Sequence, residues 1–289
     1  MSDPLLVVDA PSLLYRSFFA LPDSIKGADG KPVNALLGGT NAILRVVADR
    51  PVRAVVLCFG QEAAHYRKKL YPPYHADRPP VPDGLAHQFA EAERHFAAFG
   101  WPSVSHDELE ADDLLHSFAL AEEDAGGEAL LFTGDRDMYQ CASECTTVLY
   151  MVTGKQGFEE VGPAEVRRRY GVDPERVPDF IALRGDPSDG LPGGKGIGEK
   201  TAADLLRRHG TLEGAIKGGL RETPRVRAAL CGAPDELRAF LDIATLRRVK
   251  VKRLKDRPTD LAGGAAMARS RGMNRLAERL EKAGAVSEL

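Results

Sequence analysis

The sequence predicts an α/β protein in which a parallel sheet is followed by a mainly helical second part. Short apolar runs predict buried strands at residues 5–8, 54–59 and 129–132, and helical patterns separate them at residues 35–47, 85–99 and 111–121. Strands that alternate with helices of this length indicate a parallel sheet with helices on its faces. A further strand is a candidate at 148–152. Beyond residue 160 the helical patterns dominate, at 163–170, 177–183, 201–208 and 212–216, with one short strand candidate at 249–251.

Length and composition narrow the class of protein. The chain has 289 residues, a net charge of -3 and four cysteines, which fits one large domain or two modest ones. We place a boundary at residue 165, so that residues 1–165 form the α/β domain and residues 166–289 the helical domain. No apolar run reaches the roughly 18 residues of a membrane span, and the start lacks a basic region before a long apolar stretch. The cysteines show no metal-type spacing, so we expect reduced thiols and a cytoplasmic location. Nothing in the sequence suggests an obligate partner, so we expect a monomer.

Charge is unevenly distributed along the chain. Acidic residues cluster at 107–113, whereas basic residues cluster at 167–169 and 247–255. A nearly neutral average therefore does not exclude nucleic acid as a partner. A DNA enzyme that uses metal ions needs acidic groups in its site and basic groups on its flanks.

Three acidic residues directly follow predicted strands. Asp9 comes after the first strand, and Asp135 and Asp137 come after the third strand, through Thr133 and Gly134. In an open parallel sheet, ligands bind in the crevice outside the carboxyl ends of the strands. Two separate strands therefore bring carboxylates to the same rim.

Five further acidic residues lie at other element boundaries. Glu110, Asp112 and Asp113 open a predicted helix, where the helix dipole alone also favours acids. Asp186 and Asp189 lie in the segment G-D-P-S-D-G, a pattern that by itself usually marks a turn or an N-cap. Taken singly, each group keeps this plain structural explanation.

Taken together, these eight carboxylates predict a metal site. If they converge, their like charges raise one another's pKa unless cations lie between them. Oxygen ligands suit Mg²⁺ or Mn²⁺, and two or more such ions can promote hydrolysis of a phosphodiester.

A glycine-rich segment, L-P-G-G-K-G-I-G-E-K-T-A at residues 191–202, predicts a phosphate contact of another kind. It is not a P-loop, because Glu199 separates Gly198 from Lys200, and it is not a dinucleotide fingerprint, because no strand precedes it. A helix-hairpin-helix is the remaining functional interpretation, and a plain interhelical turn is the alternative. In the former, backbone amides before the next helix face a DNA phosphate. The residues concerned are Lys195, Gly196, Gly198, Lys200 and Thr201.

These motifs, taken in order, resemble the 5′ nuclease superfamily. This superfamily includes flap endonucleases, phage 5′ exonucleases and the N-terminal nuclease domain of bacterial DNA polymerase I. The resemblance runs from residue 5 to about 216 and rests on L-V-V-D, L-Y-R, Y-R with the segment 71–78, E-A-D-D, T-G-D-R-D, D-P-S-D and G-I-G-E-K. It implies a PIN-like core with a helical arch, a helix-hairpin-helix domain of the helix-three-turn-helix type, and a free-standing bacterial nuclease.

The resemblance also implies roles for individual residues. The eight carboxylates would bind the metal ions, and K⁺ is a further expectation at the glycine hairpin. The segment 61–94 would form the arch or its equivalent, and its basic and aromatic residues would contact a single strand. The implied catalytic residues are Arg16, Arg67, His75 and Arg78, and Lys68 and Tyr74 are the implied DNA contacts of the arch. The expected substrate is DNA with a 5′ flap or a 5′ end, in replication or repair.

Two positions depart from the family pattern. Gly60 follows the second strand where the family usually has an acidic residue, and His75 stands where it usually has lysine. Gly60 cannot bind a metal ion through a side chain, and the charge of a histidine depends on pH near neutrality. These departures keep open the alternative of a catalytically weakened structure-specific DNA-binding protein. A PIN-type ribonuclease is a separate, third alternative.

Overall fold

A six-stranded sheet forms the centre of the protein. The computed structural model describes residues 3–152 and 157–287. The strands lie in the order β3-β2-β1-β4-β5-β6, and all neighbours are parallel except the antiparallel pair β5 and β6. Their bounds are β1 Leu5–Asp9, β2 Ala54–Phe59, β3 Ser103–Ser105, β4 Ala129–Thr133, β5 Thr146–Met151 and β6 Phe158–Val161.

Helices cover both faces of this sheet and form most of the second part of the chain. None of the helices in the described part of the chain is both long and apolar enough to cross a lipid bilayer. Their bounds are α1 Ala10–Ala20, α2 Asn34–Asp49, α3 His65–Leu70, α4 Asp83–Ala97, α5 Ala111–Asp124, α6 Pro163–Tyr170, α7 Val177–Arg184, α8 Glu199–His209, α9 Leu212–Gly218, α10 Pro224–Gly232, α11 Pro234–Ala244, α12 Leu261–Ser270 and α13 Asn274–Ser287.

The central strand β1 is buried on both faces. Leu5 and Val7 point into a hydrophobic cluster that contains α5 and the helical part, whereas Leu6 and Val8 point into a second cluster with α1, α2 and α4. Successive side chains of a strand point to opposite faces, so an uninterrupted apolar run indicates a strand that is covered on both sides. This double burial fixes the position of Asp9, the last residue of β1.

The predicted α/β fold with a helical second part is confirmed, with changes in detail. Strands β1, β2, β4 and β5 match their predictions, whereas β3 and β6 went unpredicted. The strand expected at 249–251 is wrong. Val249 and Val251 pack against the core, but the Val249 amide donates to the Ser117 hydroxyl at 3.0 Å instead of to a neighbouring strand. Of the turn predicted at 154–157, residues 154–156 lie outside the described residues.

The segment expected to form the arch consists of α3, a proline-rich irregular stretch and α4. The ring of Tyr71 packs edge-on against Phe240 of α11 at a centroid distance of 5.1 Å. On the other side, α4 packs against α1, α2 and α12. The segment is therefore held at both ends by helices from elsewhere in the chain.

The end of the chain returns to the first layer. The Arg257 amide donates to the Arg53 carbonyl at 2.7 Å, and the Asp260 amide donates to the Phe99 carbonyl at 2.9 Å. Met273 and Leu276 then join the cluster on the α1 and α2 side of the sheet. The division at residue 165 remains a prediction, but α12 and α13 pack against the α/β layer and extend it.

A buried ion pair joins this returning segment to the sheet. The side chains of Arg53 and Glu122 are 3% and 1% exposed and form a short salt bridge. Arg53 also donates to the Leu254 carbonyl at 2.8 Å. Removing one partner of a buried pair leaves a buried charge without its counter-ion.

We expect Arg53→Ala to lower the free energy of unfolding by about 3 kcal/mol, because Glu122 would keep only Arg253 as a counter-ion. Urea unfolding measures this change. Arg238→Ala is the matched control, because its partners lie on an exposed surface, and its unfolding midpoint should stay close to that of the unaltered protein. Equal midpoints for both variants would contradict the role of the buried pair.

Candidate active site

A large cavity opens at the carboxyl end of the sheet. Strands β1 and β4 are neighbours, with β2 and β3 to one side and β5 and β6 to the other. The chain order reverses at this point, which is where open α/β sheets bind ligands. The cavity has a volume of about 2610 Å³, and predicted site residues in its wall are Asp9, Glu110, Asp112, Asp135, Asp186, Asp189, Arg16, Tyr74, His75 and Arg78.

Asp9 is fixed by two hydrogen bonds. One carboxylate oxygen caps α1 by accepting from the Ser12 amide at 3.0 Å, and the other accepts from the Thr133 hydroxyl at 2.6 Å. Burial raises the pKa of Asp9, and these two bonds oppose that rise. Thr133 is a functional residue to which the sequence analysis gave no role, although it opens the T-G-D-R-D motif.

A tight turn after β4 positions Asp135 and Asp137. The Asp135 amide donates to the Thr133 hydroxyl at 3.0 Å, and Asp135 accepts from the Asp137 amide at 2.9 Å. Burial, followed by the charge of Asp189, raises the pKa of Asp135 to about 7. Asp137 is buried and does not line the cavity. Burial and the charge of Asp135 hold its pKa well above the usual value.

The start of α5 places one acidic residue toward the cavity and one away from it. Burial raises the pKa of Asp112 well above its ordinary value, and the charges of Asp135 and Asp9 add to that rise. Asp113 is fully buried and accepts from the Arg247 amide at 2.7 Å and from Arg67 at 3.2 Å. Consecutive helical residues point about 100° apart. The placement of Asp113 is therefore at odds with its predicted role as a metal ligand.

Arg67 is also placed differently from its prediction. Its side chain is 3% exposed and pairs with Glu110 at 2.9 Å and with Asp113 at 3.2 Å. Its Nε donates to the Ile243 carbonyl at 3.1 Å. A guanidinium that is buried and satisfied in this way fixes Glu110, so the predicted direct contact with phosphate is at odds with the structure.

Tyr74 is buried, so its predicted stacking on a DNA base is at odds with the structure. Its ring is 3% exposed and stacks on His75 with a centroid distance of 3.9 Å. Its hydroxyl donates to Glu110 at 3.1 Å, and Glu110 also accepts from the Ala64 amide at 2.7 Å. Lys68, by contrast, is exposed on α3, and its contact with DNA stays a prediction.

Positive groups stand beside the acidic residues on the cavity wall. Asp189 is 2.9 Å from Nε2 of His75 and accepts from Arg78 at 3.1 Å. The other ring nitrogen of His75 lies 2.9 Å from the Glu62 carbonyl. The ring of His75 is thereby held between the Glu62 carbonyl and the carboxylate of Asp189.

Arg16 and Asp186 complete the wall. Arg16 donates to the Gly134 carbonyl at 2.6 Å, which places its guanidinium against the turn after β4. Asp186 accepts from the Ser188 amide at 2.8 Å and pairs with Arg184 at 3.2 Å. The predicted D-P-S-D turn thus also brings two carboxylates to the cavity. The sequence analysis gave Arg184 no role. The one local hint of its contact with Asp186 is its position directly before the G-D-P-S-D-G segment.

Gly60 has a steric explanation. A Cβ atom at this position would lie 2.5 Å from the Glu110 carbonyl carbon and 2.6 Å from the Ala111 amide nitrogen. Both are backbone atoms at the start of α5, and the Gln61 amide bonds the Leu109 carbonyl in the same contact at 2.8 Å. The close approach of α5 to the end of β2 therefore requires glycine here.

The glycine hairpin joins α7 to α8. Gly193 and Gly196 have φ angles of 64° and 76°, a region that favours glycine. Ile197 is buried beneath the hairpin, whereas the outer face is exposed. The first amides of a helix have no partner within it, so those of α8 can face an anion. Thr201, one of the predicted DNA contacts, is partly exposed. The other four are exposed: Lys195, Gly196, Gly198 and Lys200.

Comparison with known proteins identifies the family. The family description "5′-3′ exonuclease, N-terminal resolvase-like domain" matches residues 4–171, and "5′-3′ exonuclease, C-terminal SAM fold" matches residues 172–261. The chain belongs to the 5′-3′ exonuclease family. A relative named 5′-3′ exonuclease from Streptomyces coelicolor is 38% identical over 263 residues, which cover 82% of this chain and 86% of the relative.

DNA polymerases are also relatives of this family member. The thermostable DNA polymerase I of Thermus thermophilus is 36% identical over 280 residues, which cover 96% of this chain and 32% of the polymerase. The DNA polymerase I of Mycobacterium tuberculosis is 37% identical over 213 residues, which cover 73% of this chain and 24% of the polymerase. The chain thus spans a quarter to a third of the length of these polymerases.

Solved structures share the fold. The bacteriophage T5 flap endonuclease, in a pseudo-enzyme-product complex with DNA and metal ions, gives a TM-score of 0.67 at 17% identity, covering 99% of this chain and 100% of that chain. The catalytic core of Rad2 in complex with DNA substrate gives a TM-score of 0.65 at 14% identity, covering 96% and 91%. These likenesses confirm an α/β sheet core with a helical second part.

We expect Gly60→Asp to destabilise the protein by roughly 2 kcal/mol without raising its activity, because the added Cβ meets the backbone of α5. Thermal unfolding and a nuclease assay measure the two effects. Gly162→Asp is the matched control, since a Cβ at this N-cap of α6 meets nothing within 4 Å and aspartate is a favoured N-cap. A gain in cleavage by Gly60→Asp with unchanged stability would overturn the steric explanation.

Proposed function

We propose that this chain is a divalent-metal-dependent 5′ nuclease that hydrolyses DNA phosphodiesters at 5′ flaps and 5′ ends. The observation that carries the proposal is the meeting of acidic residues from four separate chain segments in one cavity. Asp9 ends β1, Asp112 lies in the first turn of α5, Asp135 follows β4, and Asp189 lies in the turn after α7. The raised pKa values of Asp9, Asp112 and Asp135 indicate that these carboxylates share a buried, mutually repulsive environment.

The donor set fits hard divalent cations. The predicted ligands offer carboxylate oxygens, which Mg²⁺ and Mn²⁺ prefer, and no thiol lines the cavity. In the described ranges, no three acidic, histidine or cysteine side chains are arranged so that they could hold an ion as they stand. The support for metal binding is therefore the shared cavity and the repulsion within it, not a preformed set of ligands.

The residues that would hold two or more ions are Asp9, Asp112 and Asp135, with Glu110, Asp137, Asp186 and Asp189 around them. Bound cations would neutralise the acidic cavity and polarise the phosphodiester toward attack by water. The chain's own residues fix the positions of these carboxylates. Thr133 and Ser12 fix Asp9, and Arg67 and Tyr74 fix Glu110.

Arginine side chains on the cavity wall would orient the phosphate. Arg78 lies beside Asp189, and Arg16 lies against the turn that carries Asp135. Donors that are already fixed in position stabilise developing charge without reorganising during the reaction. His75 stands where the family pattern has lysine, and its ring is held between Asp189 and the Glu62 carbonyl.

DNA as the substrate is supported by the hairpin and by the relatives. The exposed outer face of residues 195–200 presents backbone amides and Lys200 to a phosphate. Such contacts carry no base information, so recognition depends on the shape of the junction and on salt. K⁺ at the hairpin and a role in replication or repair belong to the same proposal.

We expect Asp135→Asn to reduce cleavage of a 5′-labelled flap substrate in Mg²⁺ or Mn²⁺ by roughly 100-fold or more, because a central oxygen ligand loses its charge. The variant should fold, and in EDTA it should unfold at a temperature no lower than the unaltered protein, because one repelling charge is gone. Asp235→Asn changes a carboxylate that is 93% exposed and should cut normally. Cleavage by Asp135→Asn at the full rate would contradict the assignment of Asp135 as a metal ligand. If the unaltered protein binds flap DNA without cutting it, the alternative of a weakened DNA-binding protein is favoured.

Divalent cations should also stabilise the protein in the absence of DNA. Binding to the folded state alone adds about 2.7 kcal/mol when the ion is at 100 times its Kd. We expect Mn²⁺ to raise the melting temperature of the unaltered protein, and the double variant Asp112→Asn with Asp135→Asn to lose most of that rise. NaCl at the same ionic strength is the control. The metal proposal fails if NaCl gives the same rise, or if the double variant keeps it.

A further inference from the structure

A basic segment at residues 247–257 has no part in the active site. We call it the basic strap. It contains seven lysine or arginine residues and one aspartate, a net charge of +6 within a chain of net charge -3. The strap follows α11 and precedes α12, and it contains no helix or strand.

Hydrogen bonds hold the strap along α5. At its start the Arg247 amide donates to Asp113 at 2.7 Å, and one turn further the Val249 amide donates to Ser117 at 3.0 Å. At its far end the Leu254 carbonyl accepts from Arg53 at 2.8 Å. The strap therefore runs from the active-site end of α5 to the amino end of β2, with its backbone fixed at both ends.

Its side chains alternate between the core and solvent. Val249 and Val251 are partly buried against the hydrophobic cluster beneath, and Lys250 and Lys252 are exposed between and after them. The apolar side chains anchor the strap, so the lysines point outward in a row. A groove of about 590 Å³ lies between this row and α5.

The lysines of the strap carry charge that the protein does not neutralise. Arg248 pairs with Asp124, and Arg253 pairs with Glu122. Among the residues that the structure describes, no ion-pair partner lies within 4.0 Å of the lysines at 250, 252 and 255. A row of unneutralised lysines on a fixed backbone is suited to a polyanion.

We propose that the basic strap binds the phosphate backbone of a double-stranded arm of the DNA substrate. The strap has no aromatic residue, and proteins that bind single strands combine basic grooves with aromatic side chains on which bases stack. Positive charge without a stacking surface therefore favours a duplex. The inference rests on the proposed function for the identity of the substrate, but it concerns a surface outside the catalytic cavity.

The test is the salt dependence of binding. The triple variant Lys250→Ala, Lys252→Ala and Lys255→Ala is compared with the unaltered protein on flap DNA in EDTA, with Kd measured by fluorescence anisotropy across a series of KCl concentrations. The slope of log Kd against log salt should decrease by about 0.9 for each duplex phosphate contact that is lost. Affinity at a fixed moderate salt concentration should fall at least tenfold. A lysine-to-arginine triple variant should restore both values.

Matched controls separate this surface from a general loss of charge. The triple variant Lys26→Ala, Lys31→Ala and Lys282→Ala removes the same charge from exposed positions outside the strap and should keep the original slope. An unchanged slope in the strap variant, or an equal change in the control, would overturn the proposal. An equal loss of affinity for a single-stranded oligonucleotide would overturn the assignment to a duplex.

Cleavage distinguishes a failure of the strap from a failure of the nuclease. At low salt and saturating DNA, the strap variant should cut within about twofold of the unaltered protein, because its catalytic cavity is intact. If the unaltered protein cuts and the strap variant binds like it, the strap proposal alone is wrong. If the unaltered protein does not cut but the slopes differ as expected, the nuclease proposal is wrong and the strap proposal stands.

Discussion

The parallel pairing of β1 with β4 decides where the acidic residues meet. Val8 lies opposite Phe132 in this pair, so the residues that follow each strand emerge at the same edge of the sheet. Asp9 and the turn that contains Asp135 are joined there by the hydroxyl of Thr133, which donates to Asp9 and accepts from the Asp135 amide. Both strands are buried on two faces, so neither can slide without exposing apolar side chains. The register of the sheet therefore sets the separation of these two carboxylates.

The acidic residues around this edge fall into two groups. Glu110, Asp113, Asp186 and Asp189 are paired with cationic side chains that fix their positions. Asp9, Asp112, Asp135 and Asp137 form no salt bridge among the described residues, and burial raises their pKa values. A neutral or hydrophobic replacement would stabilise such a region at neutral pH. Four acids without a salt bridge, two of them buried and two partly exposed at the cavity, therefore suit a ligand that brings positive charge.

Sequence analysis found the elements whose pattern is strong and local. The apolar runs of β1, β2 and β4 are long enough to mark buried strands, and the convergence of the acids at the ends of β1 and β4 follows from the rule for carboxyl ends of parallel strands. The sequence analysis did not predict β3, because this strand has only three residues, two of them serine. Residues 249–251 alternate like a strand, but the amide of Val249 bonds a serine hydroxyl, and alternation alone cannot reveal whether a partner strand exists.

The direction of a side chain was the harder part of the site to predict. Arg67 and Tyr74 are of the residue types expected in a segment that binds single-stranded DNA. Both nevertheless point inward and hold Glu110. Only the tertiary contact with α5 decides this, and no local pattern encodes it. Asp113 is different, because adjacent helical residues differ by about 100° in direction. In α5, Leu114, Leu115 and Phe118 lie in the core, and Asp113 is fully buried, whereas Asp112 lines the cavity.

The acidic cavity also constrains how DNA would be held in the proposed nuclease. Without cations it repels a phosphate backbone, and Arg78 on its wall is engaged by Asp189. In the proposed nuclease, attraction to DNA therefore comes mainly from surfaces outside the cavity. The hairpin before α8 offers amides and Lys200, and the basic strap along α5 offers a row of unpaired lysines. Positive groups held at fixed, separate positions on the protein contact phosphates, so they recognise the shape of a nucleic acid rather than its sequence. A junction between duplex and single strand is such a shape.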